Sequence, residues 1–164
     1  MPELQRLAPE HAAAVLTFER ENREFFAAHV PDRGDAYFSD FAERHADLLA
    51  EQDTGEIQCH ALVGDGGEVL GRFNLYDLAD GSAELGFRVA EKATGRGLAT
   101  AAVRRLFAMS VTDYGLDRLT AAAAEANHAS RTVLTRTGFR PVGERLLSGK
   151  PGITYVRELA GRAL

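Results

Sequence analysis

The segment Lys92-Ala93-Thr94-Gly95-Arg96-Gly97-Leu98-Ala99-Thr100 has the makings of an anion cradle. It follows an alternating apolar stretch and opens a segment of helical period. Two glycines let a backbone turn without a Cβ penalty and approach a ligand closely. The first N–H groups of a helix have no partner inside it, and they point outward with the positive end of the helix dipole. A phosphate or pyrophosphate satisfies both. Ala99 is small enough for an anion to sit close. An ATP loop needs Lys and then Ser or Thr after its last glycine, whereas Leu98-Ala99 stands here. A dinucleotide fingerprint needs a third Gly or Ala where Thr100 falls, and it follows the first strand of a parallel sheet. A G-x-G by itself also suits a plain turn with no ligand, so the cradle needs support from elsewhere in the chain.

That support comes from Asn127 to Phe139. Asn127 reads as the cap of a short helix carrying Val133 and Leu134, closed by Gly138. The surrounding periods supply the frame. Leu4 to Leu7 suits a short first strand, and Pro9 suits a first helical turn. Val15, Phe18, Phe25, Phe26 and His29 recur at helical spacing, which predicts one amphipathic helix over residues 9–29, with Asn22 on its apolar face. Pro31 ends it. A second helix carries Phe38, Phe41, His45, Leu48 and Leu49 on one face. Then the period becomes two: Ile57 to Val63, Val69 to Tyr76 and Ala83 to Val89 form a meander, turned at Asp65-Gly66-Gly67 and Asp80-Gly81. Ala99 to Tyr114 returns to helical spacing, with Gly115 just past its end. Leu119 to Ala124 favours helix by its four alanines. It is too short to stand alone between Gly115 and Asn127, and we read it as a strand. Two more strands follow near Arg140–Leu147 and Ile153–Leu159. This order predicts an α/β mixed sheet with helices on its faces.

With both segments in place, the chain resembles the GNAT acetyltransferase superfamily. The resemblance rests on Gly95-Arg96-Gly97-Leu98-Ala99 after the meander, and on Asn127, Ser130, Val133-Leu134 and Gly138-Phe139. Phe18 to Glu24 and Ala83-Glu84-Leu85-Gly86-Phe87 look like its RimJ/RimL branch, which acetylates ribosomal-protein N-termini. The resemblance covers roughly Leu4 to Leu159 and implies a single domain over residues 1–164. Its expected sheet is mostly antiparallel, with six to seven strands splayed at the acyl-CoA site and about four flanking helices. It further implies acetyl-CoA as cosubstrate. Backbone groups of Phe87, Arg88 and Val89 would meet the pantetheine arm and polarise the thioester carbonyl. Thr94, Gly95, Arg96, Gly97, Leu98, Ala99 and Thr100 would hold the pyrophosphate. Asn127 would bond the pantetheine, and Ser130 would lie near the sulfur. Two departures stand out. Thr94 occupies a position where Gln or Arg is common, and Leu134 stands where many relatives carry a Tyr acid. Ser130 or water would then serve the departing thiolate.

The expected reaction is direct attack of an amine on the thioester in a ternary complex. An alkyl ammonium has a pKa of about 10 and must first lose a proton. Glu84 is the expected base, against the alternative of a solvated strand-end carboxylate. A covalent route through Cys59 is disfavoured, because that thiol lies on an alternating apolar strand face. Asn22 and Arg23 at the end of the first helix, with Arg72, Asn74 and Tyr76 on one strand face, are the candidate acceptor residues. Equally, Asn22 suits a loop-backbone partner, and Arg72 and Asn74 suit plain solvation. The acceptor is a peptide or protein N-terminus or a small amine. A non-catalytic acyl-CoA-binding module is the competing reading.

Bulk properties agree. The 164 residues are 45% hydrophobic and 26% charged, enough for one core. The formal net charge of -5 argues against nucleic acid. No apolar run approaches the roughly 20 residues of a membrane span, and the N-terminus shows no signal pattern. A single cysteine allows no internal disulfide, which suits a reducing cytoplasm. No His, Cys and carboxylate group has metal-ligand spacing, so no metal is expected. Homodimerisation is left open.

Overall fold

The computed structural model describes residues 1–159. Seven strands form one sheet: β1 (Glu3–Arg6), β2 (Gln58–Val63), β3 (Val69–Ala79), β4 (Ser82–Val89), β5 (Arg118–Ala124), β6 (Arg140–Leu147) and β7 (Lys150–Glu158). Their spatial order is β1-β2-β3-β4-β5-β7-β6. Every pairing is antiparallel except β4 with β5. That parallel step requires a crossover, supplied by helix α5 (Leu98–Thr112).

Six helices flank the sheet, rather than the expected four or so, because each of the first two is broken once. Residues 9–29 form a 3-10 turn at Pro9–His11, then α1 (Ala12–Glu21) and α2 (Arg23–Ala27). The break is Asn22, whose backbone leaves the helical region at φ −109° and ψ 13°. Its Nδ2 donates to Phe18 O at 2.9 Å, so the side chain competes with the helix ladder. The second expected helix splits at Asp40 into α3 (Asp35–Ser39) and α4 (Phe41–Asp53). The last helix, α6 (His128–Arg136), starts as expected at Asn127, whose side chain accepts from Ser130 N–H.

The alanine run is a strand. Leu119, Ala121 and Ala123 are buried while Thr120, Ala122 and Ala124 are half-buried, a period of two. Ladders with β4 on one side and β7 on the other override alanine's helical preference. At Asp80-Gly81 both residues have positive φ, 53° and 78°, as a two-residue type I′ hairpin requires.

Side chains alternate between the two faces of the sheet. Phe73, Leu75 and Leu85 pack with Val103 and Leu106 of α5 in the core, and Phe18 of α1 fills the opposite layer. Each such side chain contributes about 1.5–3 kcal/mol on burial. The edge strand β6 is exposed along most of its length, and Pro141 with the register shift before Gly143 interrupts its edge. Among the described residues no helix is long and apolar enough to cross a membrane.

Candidate active site

Strands β4 and β5 stay paired only from Ser82 to Leu85 against Arg118 to Ala121. Beyond that they part. Gly86 to Val89 keep pairing with β3, and Ala122 to Ala124 keep pairing with β7. Ala90 N–H bonds Leu70 O at 2.9 Å, toward β3. By the alternation of an antiparallel ladder, the backbone groups of Phe87 and Val89 then face the opposite way, into the gap that β5 has left. The sequence fits this opening, because a strand of alanines keeps its far wall thin.

On the α5 face the gap widens into a cleft of about 460 Å³. Its walls include Phe25, Phe26, Phe87, Arg88 and Val89, the loop residues Thr94, Gly95, Gly97, Leu98, Ala99 and Thr100, and Asn127, Ser130, Val133 and Arg136. Gly95 and Gly97 both hold φ at 74°, the left-handed region, and a Cβ on either would meet nothing within 4 Å. The glycines are thus required by conformation, and the space above them is open. No side chain caps α5, and the first bond into the helix is Ala101 N–H to Gly97 O. The amides of Leu98, Ala99 and Thr100 therefore face the cleft mouth as a ready anion site. Thr94 donates its hydroxyl to Glu91 O at 2.7 Å, so it shapes the loop rather than offering that proton to a ligand. Arg96 is exposed and stands outside the cleft wall.

On the other face lies a second cleft, of about 590 Å³. Arg72, Asn74 and Tyr76 of β3, Gly86 and Arg88 of β4, and Ala122 to Ala124 of β5 form its floor. Arg33, His29, Val30 and the hairpin residues Leu147, Ser148 and Lys150 form its rim. Beneath the floor sits Glu19 of α1, 1% exposed, held by Arg72 at 2.7 Å and by Arg33 and Arg88 at 3.1 Å each. Burial alone would raise the Glu19 pKa; the charges of Arg33, Arg72 and Arg88 outweigh it and hold the carboxyl below its usual range. Burial, with Arg33 and Arg72 as like-charged neighbours, lowers the Arg88 pKa despite Glu19. Three guanidiniums thus share one carboxylate.

The two clefts share His29, Val30, Phe87, Arg88, Asn127 and Ser130 as walls, and they communicate through the splay. Most sequence-derived candidates converge there, and some do not. Asn22 is buried with its Nδ2 on Phe18 O and its Oδ1 accepting from Glu91 N–H, so it meets a loop backbone rather than a cleft. Arg23 is tied to Asp32 and Asp35 at 2.8 Å each, and its hydrogen bond draws the Asp32 pKa down to about 2. Neither lines the shared cleft. Arg72 is not simply wet; it is buried and ion-paired. Asn74 donates to Tyr76 Oη at 3.0 Å on the cleft floor. Glu84 lies opposite Tyr76 on β3, with its carboxylate accepting from Arg145 at 3.3 Å, outside both clefts' walls. Leu134 is a core side chain, 1% exposed. Cys59 is buried, and burial pushes its pKa up to about 11. Sequence reasoning missed His29, Lys150 and the hairpin rim. His29 was absorbed into a helix face, and only the break at Asn22, with the turn before Pro31, frees it to face the splay.

The half-open mixed sheet and the uncapped, glycine-led start of α5 meet at one cleft that suits an anionic ligand. Residues 3–140 match the acetyltransferase (GNAT) domain family. The chain belongs to that family and is a GNAT-type N-acetyltransferase. It is 30% identical over 132 residues to a putative ribosomal N-acetyltransferase, YdaF, of Bacillus subtilis (strain 168), covering 77% of this chain and 68% of that one. Its fold superposes on the ribosomal-protein-S5-alanine acetyltransferase of Vibrio fischeri with a TM-score of 0.89, at 18% identity over 96% of this chain and 93% of that one. Mycobacterium smegmatis RimJ in complex with CoA-disulfide gives a TM-score of 0.86 at 23% identity, over 98% and 83%. Spermidine N-acetyltransferase, as a chimera from Vibrio cholerae and hSSAT, gives 0.80 at 15%, over 98% and 96%.

Proposed function

We propose that this chain moves an acetyl group from acetyl-CoA directly to an amine, with both substrates bound at once. The carrying observation is the pair of clefts on opposite sheet faces that meet at Phe87, Asn127 and Ser130. Acetyl-CoA, when bound, supplies an activated thioester. The amides of Leu98 to Thr100 and the glycines beside them bind its diphosphate. Phe87 and Val89 offer backbone groups to the pantetheine, and a backbone N–H in this stretch stabilises charge developing on the carbonyl oxygen, where loss of one donor costs about 3 kcal/mol in other enzymes. Asn127 Oδ1 accepts from Ser130 N–H at 3.3 Å, which leaves its Nδ2 to donate to the pantetheine amide. Ser130 supplies a hydroxyl to the departing sulfur.

The acceptor ammonium must lose a proton near the splay. His29 lines both clefts and is exposed, so it accepts that proton directly or through water. Among the described residues no carboxylate lines the acceptor cleft, which favours His29 over Glu84. The elevated Cys59 pKa suppresses its thiolate and supports direct transfer. The reducing cytoplasm suits the free thiol.

The test is thiol release from acetyl-CoA with a panel of N-terminal peptides and small amines, read by mass spectrometry of the acceptor. Acetylated acceptor carries the proposal. Saturable CoA binding with no thiol release for any acceptor establishes the non-catalytic binding module instead.

A further inference from the structure

The acceptor cleft has a definite electrical sign. Arg33, Arg72 and Arg88 surround one carboxylate, Glu19, so the group carries excess positive charge beneath and beside the cleft floor. Lys150 adds an exposed ammonium at the rim, and among the described residues no Asp or Glu lines this cleft. Fields of this kind are strongest in a concave, low-dielectric site. They disfavour a polycation there and favour an acceptor with negative charge close to its amine.

The cleft also continues. Arg33, Arg72, Asn74 and Tyr76 are shared with an outer groove of about 320 Å³ that runs along α4. One buried polar atom is unsatisfied in that groove. His45 is 5% exposed, its Nε2 lies 3.1 Å from Ala8 O, and its Nδ1 has no partner. A carbonyl can only accept, so Nε2 carries the proton and Nδ1 is an acceptor waiting for a donor. Leaving such an atom buried and unpaired is costly, and an ordered water is an ordinary partner for it. Asp47 and Glu51 line this outer stretch together with Arg44, so the excess positive charge is confined to the inner end.

Resting on the acetyltransferase reading above, and taking a peptide N-terminus as the amine, we infer that the acceptor carries an acidic side chain within its first residues. The amine enters the splay at Phe87, the acidic side chain lies over Arg33 and Arg88 near Lys150, and the following residues continue into the outer groove along α4. A free polyamine presents the wrong charge to the inner cleft.

The experiment compares kcat/KM for hexapeptides that share a first residue and carry either Asp-Glu or Lys-Lys next, with spermidine and the acidic N-terminal dipeptide as further arms. The acidic hexapeptide is expected to exceed the basic one by about tenfold or more, equivalent to roughly 1.4 kcal/mol. It should exceed the dipeptide as well, through KM. Lys150→Glu, at an exposed position that leaves the core intact, should shrink the acidic-to-basic ratio severalfold. Preference for spermidine or for the basic peptide, or a ratio untouched by Lys150→Glu, overturns the inference while leaving acetyl transfer standing. Absence of thiol release with every acceptor removes the acetyl-transfer reading itself, and this inference with it.

Discussion

The two clefts that meet at the splay are made of different materials. The cofactor side is largely backbone: glycine φ angles, unbonded amides at the start of α5, and the free edge of β4. The acceptor side is largely side chain: guanidiniums, an ammonium and an imidazole drawn from α1's neighbours, β3, β4 and the β6–β7 hairpin. A backbone site tolerates change in most side chains but fails at the few positions that set its conformation. A side-chain site does the reverse. A scaffold so divided can change its side-chain cleft without disturbing its backbone cleft.

The sharpest way to break this contrast is Gly97→Val. A β-branched residue at φ 74° strains the helix start and removes the cradle geometry. CoA affinity measured by calorimetry should fall about 100-fold, or roughly 2.7 kcal/mol. By the same logic, Arg96→Ala should change it by less than about threefold, since that side chain stands outside the wall. A large loss at Arg96 with a small one at Gly97 would reverse the contrast.

On the proposed mechanism the acceptor side answers to His29. His29→Gln should lower kcat by about 100-fold while leaving CoA affinity unchanged, and Glu84→Gln should have a smaller effect. Steady-state kinetics at saturating acetyl-CoA decides between the two. If Glu84→Gln is the damaging change, the base is the carboxylate and His29 only shapes the wall.

Beneath the acceptor cleft, function and stability share residues. Glu19→Gln strands three guanidiniums around a neutral amide and should cost about 3 kcal/mol in urea unfolding. The acid behaviour has a definite sign. The folded Glu19 pKa lies below its ordinary value of 4.5, so its contribution is present above that pH and is lost as pH falls through the folded value. His60 acts earlier. Its ring is buried between Phe73 O at 2.9 Å and Tyr114 Oη at 2.6 Å, and burial drives its pKa down from 6.5 to about 4. The unfolded chain binds the extra proton first, so stability declines from pH 6.5 toward 4. Melting curves across this range should flatten in a His60→Gln variant. The smallest effect is expected from Cys59→Ala, whose turnover should stay within about twofold of wild type. A collapse of turnover in that folded variant would reinstate a covalent route.

What the sequence revealed follows the same division. The glycine turn and the start of α5 were legible because their requirements are local: two glycines, a small residue and the start of a helical period. The meander turns and the Asn127 cap were legible for the same reason. The alanine strand was readable only because its flanks were too close for a helix. The acceptor side was not legible. Glu19 looked like any charged residue on a helix, yet it is buried because Arg33, Arg72 and Arg88, far apart in the chain, converge on it. Asn22 had the right neighbourhood and the wrong partner, since nothing local announces that Glu91 N–H will arrive at its Oδ1.

The alanines of β5 carry one more implication. Ala122 to Ala124 line the acceptor cleft, and Ala122 and Ala124 are only half-buried, so their methyl groups are not wedged into the main core. On the proposed reading they set the width of the acceptor cleft at that wall. Exchanging one for Val or Leu would narrow the doorway by a few carbon atoms without touching the diphosphate grip, and exchanging one for Gly would widen it. If the proposed acceptor cleft is right, single substitutions there should shift the size of amine accepted while the pairing of β5 with β7 stays intact.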